Sequence, residues 1–426
     1  MIRNSSFIAR NCLKANSWNT IGSSGLKRIS SLRGTIIDPA FDLNDDEKQL
    51  QETAYQFALK EFRPRMREWD QNEHFPREEI KKCADLGFGG IYVPIEDGGS
   101  GLSRLETSIV FEALSQGCVS TTALITIHNM CSYILSHFGC DQLKKRYLKD
   151  IVEFNKMASY CLTEPGAGSD AGNLQTTAVE KDDHYILNGS KAFISGGGDS
   201  DVYFVMCRTG DKGPKGISCM ILEKGFKGLS FGKKESKLGW NSQPTRAVIM
   251  EDCVVPKENL VGELNQGFKI AMEALNGGRI NVSSCSLGAA QWAMNAAIEY
   301  TMDRKQFQKS ILSFQNTQFK LASMAAELLA SRLIVRAAAR NLDNLVNKVD
   351  TENVYPVPSL VAAGKLIATE KAYQIIDQCL QLFGGYGYLK DYPVQQLLRD
   401  SRVHRILEGT NEIMQLIIAR DFQKLH

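Results

Sequence analysis

The chain is poor in the features that would place it in a membrane, on a nucleic acid or around a metal. No apolar run in its 426 residues approaches the roughly 18 continuous residues of a membrane span, so membrane insertion is not expected. No two of the 11 cysteines lie within three residues of one another, which argues against Cys-x-x-Cys zinc or redox sites, and no metal site is expected. The thiols read instead as reduced and mostly buried. An excess of either charge is also missing, since 50 Lys and Arg oppose 48 Asp and Glu. Acids are absent from the first 33 residues, where Arg3, Arg10, Lys14, Lys27, Arg28 and Arg33 sit among serines; the first acid is Asp38. A basic, serine-rich, acid-free start predicts a mitochondrial presequence over 1–33 rather than a secretory signal, which needs a compact apolar core. Without those six cations the balance is 44 against 48, a net −4, so no nucleic-acid partner is indicated. No internal repeat or low-complexity tract is present.

What the chain does have is enough apolar material, 43% against 23% charged, for a soluble protein with a sizeable core in two or three domains. Three blocks follow the presequence. From about 40 to 155 the spacing is helical: Asn44 can cap a helix whose first turn holds Asp45, Asp46 and Glu47, and Leu50, Ala54, Phe57 and Ala58 follow at three-to-four spacing. EDGGSGLS (96–103) reads as a loop before another helix. From 156 to 265 the period becomes two, and the block reads as an antiparallel β domain. Within it HYILNGSKAFIS (184–195) predicts two short strands around an Asn188-Gly189 hairpin turn. From 266 to 426 long alanine-rich amphipathic runs predict a four-helix bundle.

Three segments combine glycine with polar residues. YCLTEPGAGSDAG (160–172) holds a lone Gly-x-Gly, but a nicotinamide fold would need a helix after it and here strands follow. It is either a Pro-Gly turn or a loop whose hydroxyls and N–H groups hold a polar ring and phosphates. ALNGGRI (274–280) offers Arg279 either to a phosphate or to solvent. RVHRILEGTNEIM (402–414) ends a helix at Glu408 before Gly409, with Thr410 or Asn411 restarting one. There Glu408 is either an ordinary last-turn carboxylate or a poorly solvated one kept as a base.

Taken together and in this order, CLTEPGAGSD and QLFGGYGYLKDY, about 220 residues apart, resemble the two signature segments of the acyl-CoA dehydrogenase family, and the likeness runs from about residue 40 to the C-terminus. The resemblance implies a helical N-terminal domain, a middle β domain and a C-terminal four-helix bundle, with bound FAD, a homotetramer and electron delivery to electron-transfer flavoprotein in the mitochondrial matrix. GLSRLETSIVFEAL, TIHNMC, LGWNSQPTRAV and LNGGRINVSSCSLGAA carry a finer likeness to members that oxidise isobutyryl-CoA in valine breakdown. It assigns α-proton removal to Glu408, with Gly278 standing where other members place the base.

The same resemblance suggests flavin-ring contacts at Tyr160, Leu162, Thr163 and Ser169 and at Phe193, Ile194 and Ser195. Arg304, Phe307, Phe314 and Gln315, with Gln381, Gly384 and Gly385, resemble residues that hold the FAD of a neighbouring subunit. Thr410, Asn411 and Glu412 would touch the flavin, while Ser169, Asn276, Gly277, Gly278, Arg279 and Arg420 resemble contacts to the acyl-CoA. The chain departs from the pattern at Asn173, at Gln396 and at Gln308, which replaces a glycine usual in an FAD-contacting turn. A short-chain or 2-methyl-branched acyl-CoA dehydrogenase is the nearest alternative, and a catalytically idle scaffold with the same fold a remote one.

Overall fold

The computed structural model describes residues 34–348 and 355–423; the expected presequence lies outside them. Local sequence sets the first helices. Asn44 and Glu47 close a capping box at α1 (Asp45–Phe57), and Ser103 and Glu106 close another at α3 (Arg104–Ser115). Between them lies α2 (Met66–Asn72), and after them α4 (Val119–Phe138).

A mixed sheet follows, with strands β1 (Ala158–Cys161), β2 (Thr177–Glu180), β3 (His184–Ser195), β4 (Val202–Arg208), β5 (Ile217–Glu223), β6 (Leu229–Phe231), β7 (Thr245–Pro256) and β8 (Leu260–Val261). Their order is β6-β7-β3-β2-β4-β5-β8, with β1 beside β4. Most pairs are antiparallel, but β1 and β2 each meet β4 in parallel. Along β4 the side chains alternate between two cores. Val202, Phe204 and Met206 pack toward α4 and the start of the long helix α5 (Gly267–Asp303), while Tyr203, Val205 and Cys207 face the other side with Met220 and Val248.

The Asn188-Gly189 hairpin does not form. His184–Ser195 is one strand, paired with β7 from His184↔Pro256 to Ser195↔Thr245 with a register shift between Leu187 and Gly189. The Asn188 side chain instead exchanges two hydrogen bonds with a bulge at Asp252, 3.0 Å and 2.8 Å long. A Cβ at Gly189 would stand 2.5 Å from the Thr176 hydroxyl. The pair of residues serves a close strand crossing, and tertiary pairing overrides the turn signal.

The C-terminal part contains α5, α6 (Gln315–Asn347), α7 (Val357–Leu382) and, after the short α8 (Val394–Arg402), α9 (Asn411–Gln423). A two-residue-per-strand hairpin, β9 (Lys305–Gln306) and β10 (Lys309–Ser310), joins α5 to α6. One core runs from Phe62, Trp69 and Phe111 of the N-terminal helices to Leu287, Leu328 and Ile375 of the bundle, so these two helical parts share their interior. At about 1.5 Å per residue, α5 spans on the order of 55 Å and crosses from the sheet into the bundle. No helix among the described residues is long and apolar enough to cross a membrane.

Candidate active site

The helix that leads to Glu408 ends earlier than its sequence suggests. Alpha-helical hydrogen bonding stops at Arg402, a single 3-10 turn covers Val403–Arg405, and Glu408 lies in the link that follows, with φ 58. Gly409 repeats the left-handed conformation at φ 90. Two successive positive φ values, one on a non-glycine residue, reverse the chain sharply before α9. Thr410 caps that helix, its hydroxyl accepting from the N–H of Ile413 at 3.3 Å.

This turn delivers the Glu408 carboxylate into the protein. A Cβ at Gly278 would stand 2.5 Å from Glu408 Oε2, so the missing side chain in the middle of α5 is what admits the carboxylate. Oε2 is buried and has no hydrogen-bond partner, and the buried hydroxyl of Tyr160 on β1 is likewise unpartnered. Burial pushes the Glu408 carboxyl up to about 7, against the opposing pull of Arg279 and Lys365. Arg279 is not a solvated helix residue. It is buried, and its Nε donates to the backbone oxygen of Glu408 at 3.1 Å while Nη1 donates to Asn276 at 3.2 Å. Among the described residues the backbone N–H of Glu408 has no acceptor within the chain.

A second group forms around the β1 turn. Ala192 N–H donates to Thr163 O at 2.8 Å, and the buried Lys191 donates to Leu162 O at 3.1 Å and to Glu164 at 2.7 Å. These bonds set Tyr160, Leu162 and Thr163 beside Phe193, Ile194 and Ser195. Ile194 is buried, whereas the Phe193 ring is 71% exposed on a left-handed residue (φ 58). Ser169 lies exposed on the outer part of the turn. Tyr160, whose hydroxyl lies in the field of the Glu408 carboxylate, joins this group to the first.

A third group surrounds a cavity of about 350 Å³ lined by Tyr300, Arg304, Gly384, Gly385 and Tyr386, among others. Phe307 and Gln308 form the turn of the β9–β10 hairpin, both left-handed at φ 51 and 65. Gln308 therefore takes the conformation that glycine would take there. Phe307 is 88% exposed and stands edge-on to Phe314 at 6.2 Å; Gln315 and Gln381 are exposed nearby in sequence. The remaining residues are less gathered. Arg420 stands exposed in the last turn of α9, and Gln396 is a buried amide donating to Met66 O at 3.3 Å.

The donor set fits FAD. An open Gly384-Gly385 cradle, in which added Cβ atoms would meet nothing within 4 Å, faces the cavity with the Arg304 guanidinium, as a pyrophosphate requires. The solvent-facing Phe193 and Phe307 rings offer flat apolar surfaces to aromatic rings. No group of three or more His, Cys, Asp or Glu suited to a metal ion occurs among the described residues.

Sequence reasoning missed two buried lysines. Lys191 locks the β1 turn through Glu164, and Lys365 on α7 donates to Gly409 O and Asn411 Oδ1, each at 2.9 Å. The signal for Lys365 was available, since it shares the apolar face of Val361, Ala368 and Ala372.

Comparison with known proteins agrees along most of the described chain. Residues 44–155, 159–253 and 265–422 match the family models described as the N-terminal, middle and C-terminal domains of acyl-CoA dehydrogenase. The mitochondrial isobutyryl-CoA dehydrogenases of Bos taurus and Dictyostelium discoideum are each 56% identical over 91% of this chain and 92% of theirs. Butyryl-CoA dehydrogenase from Megasphaera elsdenii superposes with a TM-score of 0.85 at 35% identity, covering 90% of this chain and 99% of that one.

Proposed function

The chain belongs to the acyl-CoA dehydrogenase family of FAD-dependent oxidoreductases, and on that premise we propose that it oxidises isobutyryl-CoA to methacrylyl-CoA with Glu408 as the base. The observation that carries this reading is the Glu408 carboxyl, with Oε2 buried and unpartnered and its pKa pushed by burial up to about 7. A carboxylate so desolvated is a stronger base than one in water, which suits the weakly acidic C–H beside a thioester. That C–H becomes acidic enough only if the developing enolate oxygen is stabilised, and the unengaged backbone N–H of Glu408 is a donor of the right kind. Bound FAD supplies the acceptor for the β-hydride. Glu408 thus takes the single α-proton of the isobutyryl group, and the hydride leaves from a methyl carbon. Arg279 and Gly278 keep the base in place, the first by holding its backbone carbonyl and the second by leaving room for its carboxylate.

Phe193, Thr163 and Ser195 would hold the flavin ring of their own subunit. Arg304, Phe307, Gly384 and Gly385 would hold the FAD of a neighbour in a homotetramer. Exposed apolar side chains on the bundle helices, including Phe319, Leu333, Ile367 and Phe422, support such an assembly. Delivery of electrons to electron-transfer flavoprotein, a role in valine breakdown and a mitochondrial matrix location complete the proposal; the mitochondrial relatives and the basic N-terminus support it.

Anaerobic addition of isobutyryl-CoA to the purified holoenzyme tests the substrate through the visible flavin absorbance. Bleaching faster than with butyryl-CoA or 2-methylbutyryl-CoA is expected. A faster reaction with either of those would move the substrate assignment to the corresponding short-chain or 2-methyl-branched enzyme.

A further inference from the structure

We propose that Lys365 is a positioning residue for the base: its ammonium grips the Gly409 carbonyl and the Asn411 side chain, and so holds the left-handed turn that aims Glu408 at Gly278. The inference rests on the reading of Glu408 as the base. Lys365 is fully buried on α7, and its Nζ lies 2.9 Å from Gly409 O and 2.9 Å from Asn411 Oδ1. Asn411 is itself fixed by the Thr369 hydroxyl at 3.2 Å and by Glu370 at 3.2 Å. No carboxylate among the described residues stands within ion-pair distance of Lys365. A buried ammonium with no carboxylate bonded directly to it is costly, and a methionine of similar length would avoid that cost. Burial accordingly pulls Lys365 down to about 8, while the Glu408 charge supports the protonated form.

The placement explains what the charge does. Arg279 reaches from α5 to the carbonyl of Glu408, and Lys365 reaches from α7 to the carbonyl of Gly409. Two cations on two helices therefore clamp two successive carbonyls of a strained link, and the carboxylate between them keeps one orientation. Both cations also favour ionised Glu408. The charged and titratable groups around the pair are Arg279 from α5, Tyr160 from β1, Lys365 from α7, Arg405 and His404 from the preceding turn, and Glu412 from α9. Arg405 is engaged by Glu370 at 2.7 Å, and burial holds His404 neutral, down to about 3.

The test uses the full-length holoenzyme with Lys365→Met, which removes donors and charge, and Lys365→Gln, which keeps donors but removes charge. FAD content and methacrylyl-CoA binding, read from the flavin spectrum, are expected to stay within about threefold of wild type, whereas a structural role alone would move them with the rate. Stopped-flow bleaching by isobutyryl-CoA is expected to slow on the order of a hundredfold in Lys365→Met. Lys365→Gln should slow less and shift its acid limb to higher pH, because Glu408 loses a cation that favours its charged form. Wild-type rates and an unmoved acid limb in both variants would overturn the proposal; if Lys365→Met does not fold, an unmoved limb in Lys365→Gln is sufficient to do so. Glu408→Gln is measured alongside, since full activity there would defeat the base assignment itself and not the place of Lys365 in the turn.

Discussion

Two glutamates in this protein, buried Glu164 and half-buried Glu408, each have a buried lysine close by, and their carboxyls shift in opposite directions. Glu164 accepts from Lys191 at 2.7 Å and from the N–H groups of Gln175 and Thr176 at 2.6 Å and 2.9 Å. Despite burial, those partners hold its carboxyl below the usual range. Glu408 has Lys365 in its field, but that lysine spends its hydrogen bonds on Gly409 and Asn411, and Glu408 Oε2 is left without a partner. Its carboxyl is pushed up to about 7. The same residue types give a strut in one place and the proposed base in the other, and the hydrogen bonds to the carboxylate make the difference.

The largest test of that contrast removes the unpartnered carboxylate. Glu408→Gln should lose about 10⁴-fold in the rate of flavin bleaching by isobutyryl-CoA while retaining FAD and product binding. Near-normal bleaching would break the comparison at its functional end. Lys191→Met attacks the other end: stripping one partner from a buried pair should cost about 3–5 kcal/mol in denaturant unfolding, without moving the acid limb of the protein that remains folded. An unchanged midpoint would show that Glu164 is no strut.

The two sites also differ in the sign of their pH dependence. Glu164, with a lowered folded pKa, contributes stability that is present above its unfolded value and lost as pH falls through the folded one. Glu408, raised from 4.5 to about 7, binds its proton more tightly when folded, so its contribution is lost as pH rises between those values. At pH 8 Glu408→Gln should therefore unfold less readily than wild type, by about 3 kcal/mol, a gain that should vanish near pH 4. Equal stability at both pH values would mean that the carboxylate is not desolvated. The smallest effect is expected at a left-handed residue with no catalytic duty: Gln308→Gly should stabilise the hairpin by about 1 kcal/mol, measured by thermal melting of the holoenzyme.

Much of the fold was legible because its signals are local. Asn44 with Glu47 marks a helix start through bonds spanning three residues; the unbroken β-branched and aromatic run of β4 reports a strand buried on both faces, and the apolar stripes of α6 and α7 report burial through their period. Asn188-Gly189 misled because a turn preference is weak beside the pairing of a twelve-residue strand with β7. Likewise the parallel contacts of β1 and β2 with β4 leave no short-range trace.

Glu408 itself was visible only as a carboxylate beside a glycine, and resemblance rather than periodicity singled it out. The sequence by itself determined the kinds of element, the residue types at each turn, and the glycine at 278 that leaves a space on α5. Only the tertiary structure decided that Glu408 enters that space, and that Arg279 and Lys365 take its neighbouring carbonyls rather than its carboxylate. The reason is one of range: hydrogen-bonded periodicity is written within a few residues, whereas the proton affinity of the Glu408 carboxylate depends on Arg279 and Lys365, 129 and 43 positions away in the chain, brought together only by packing.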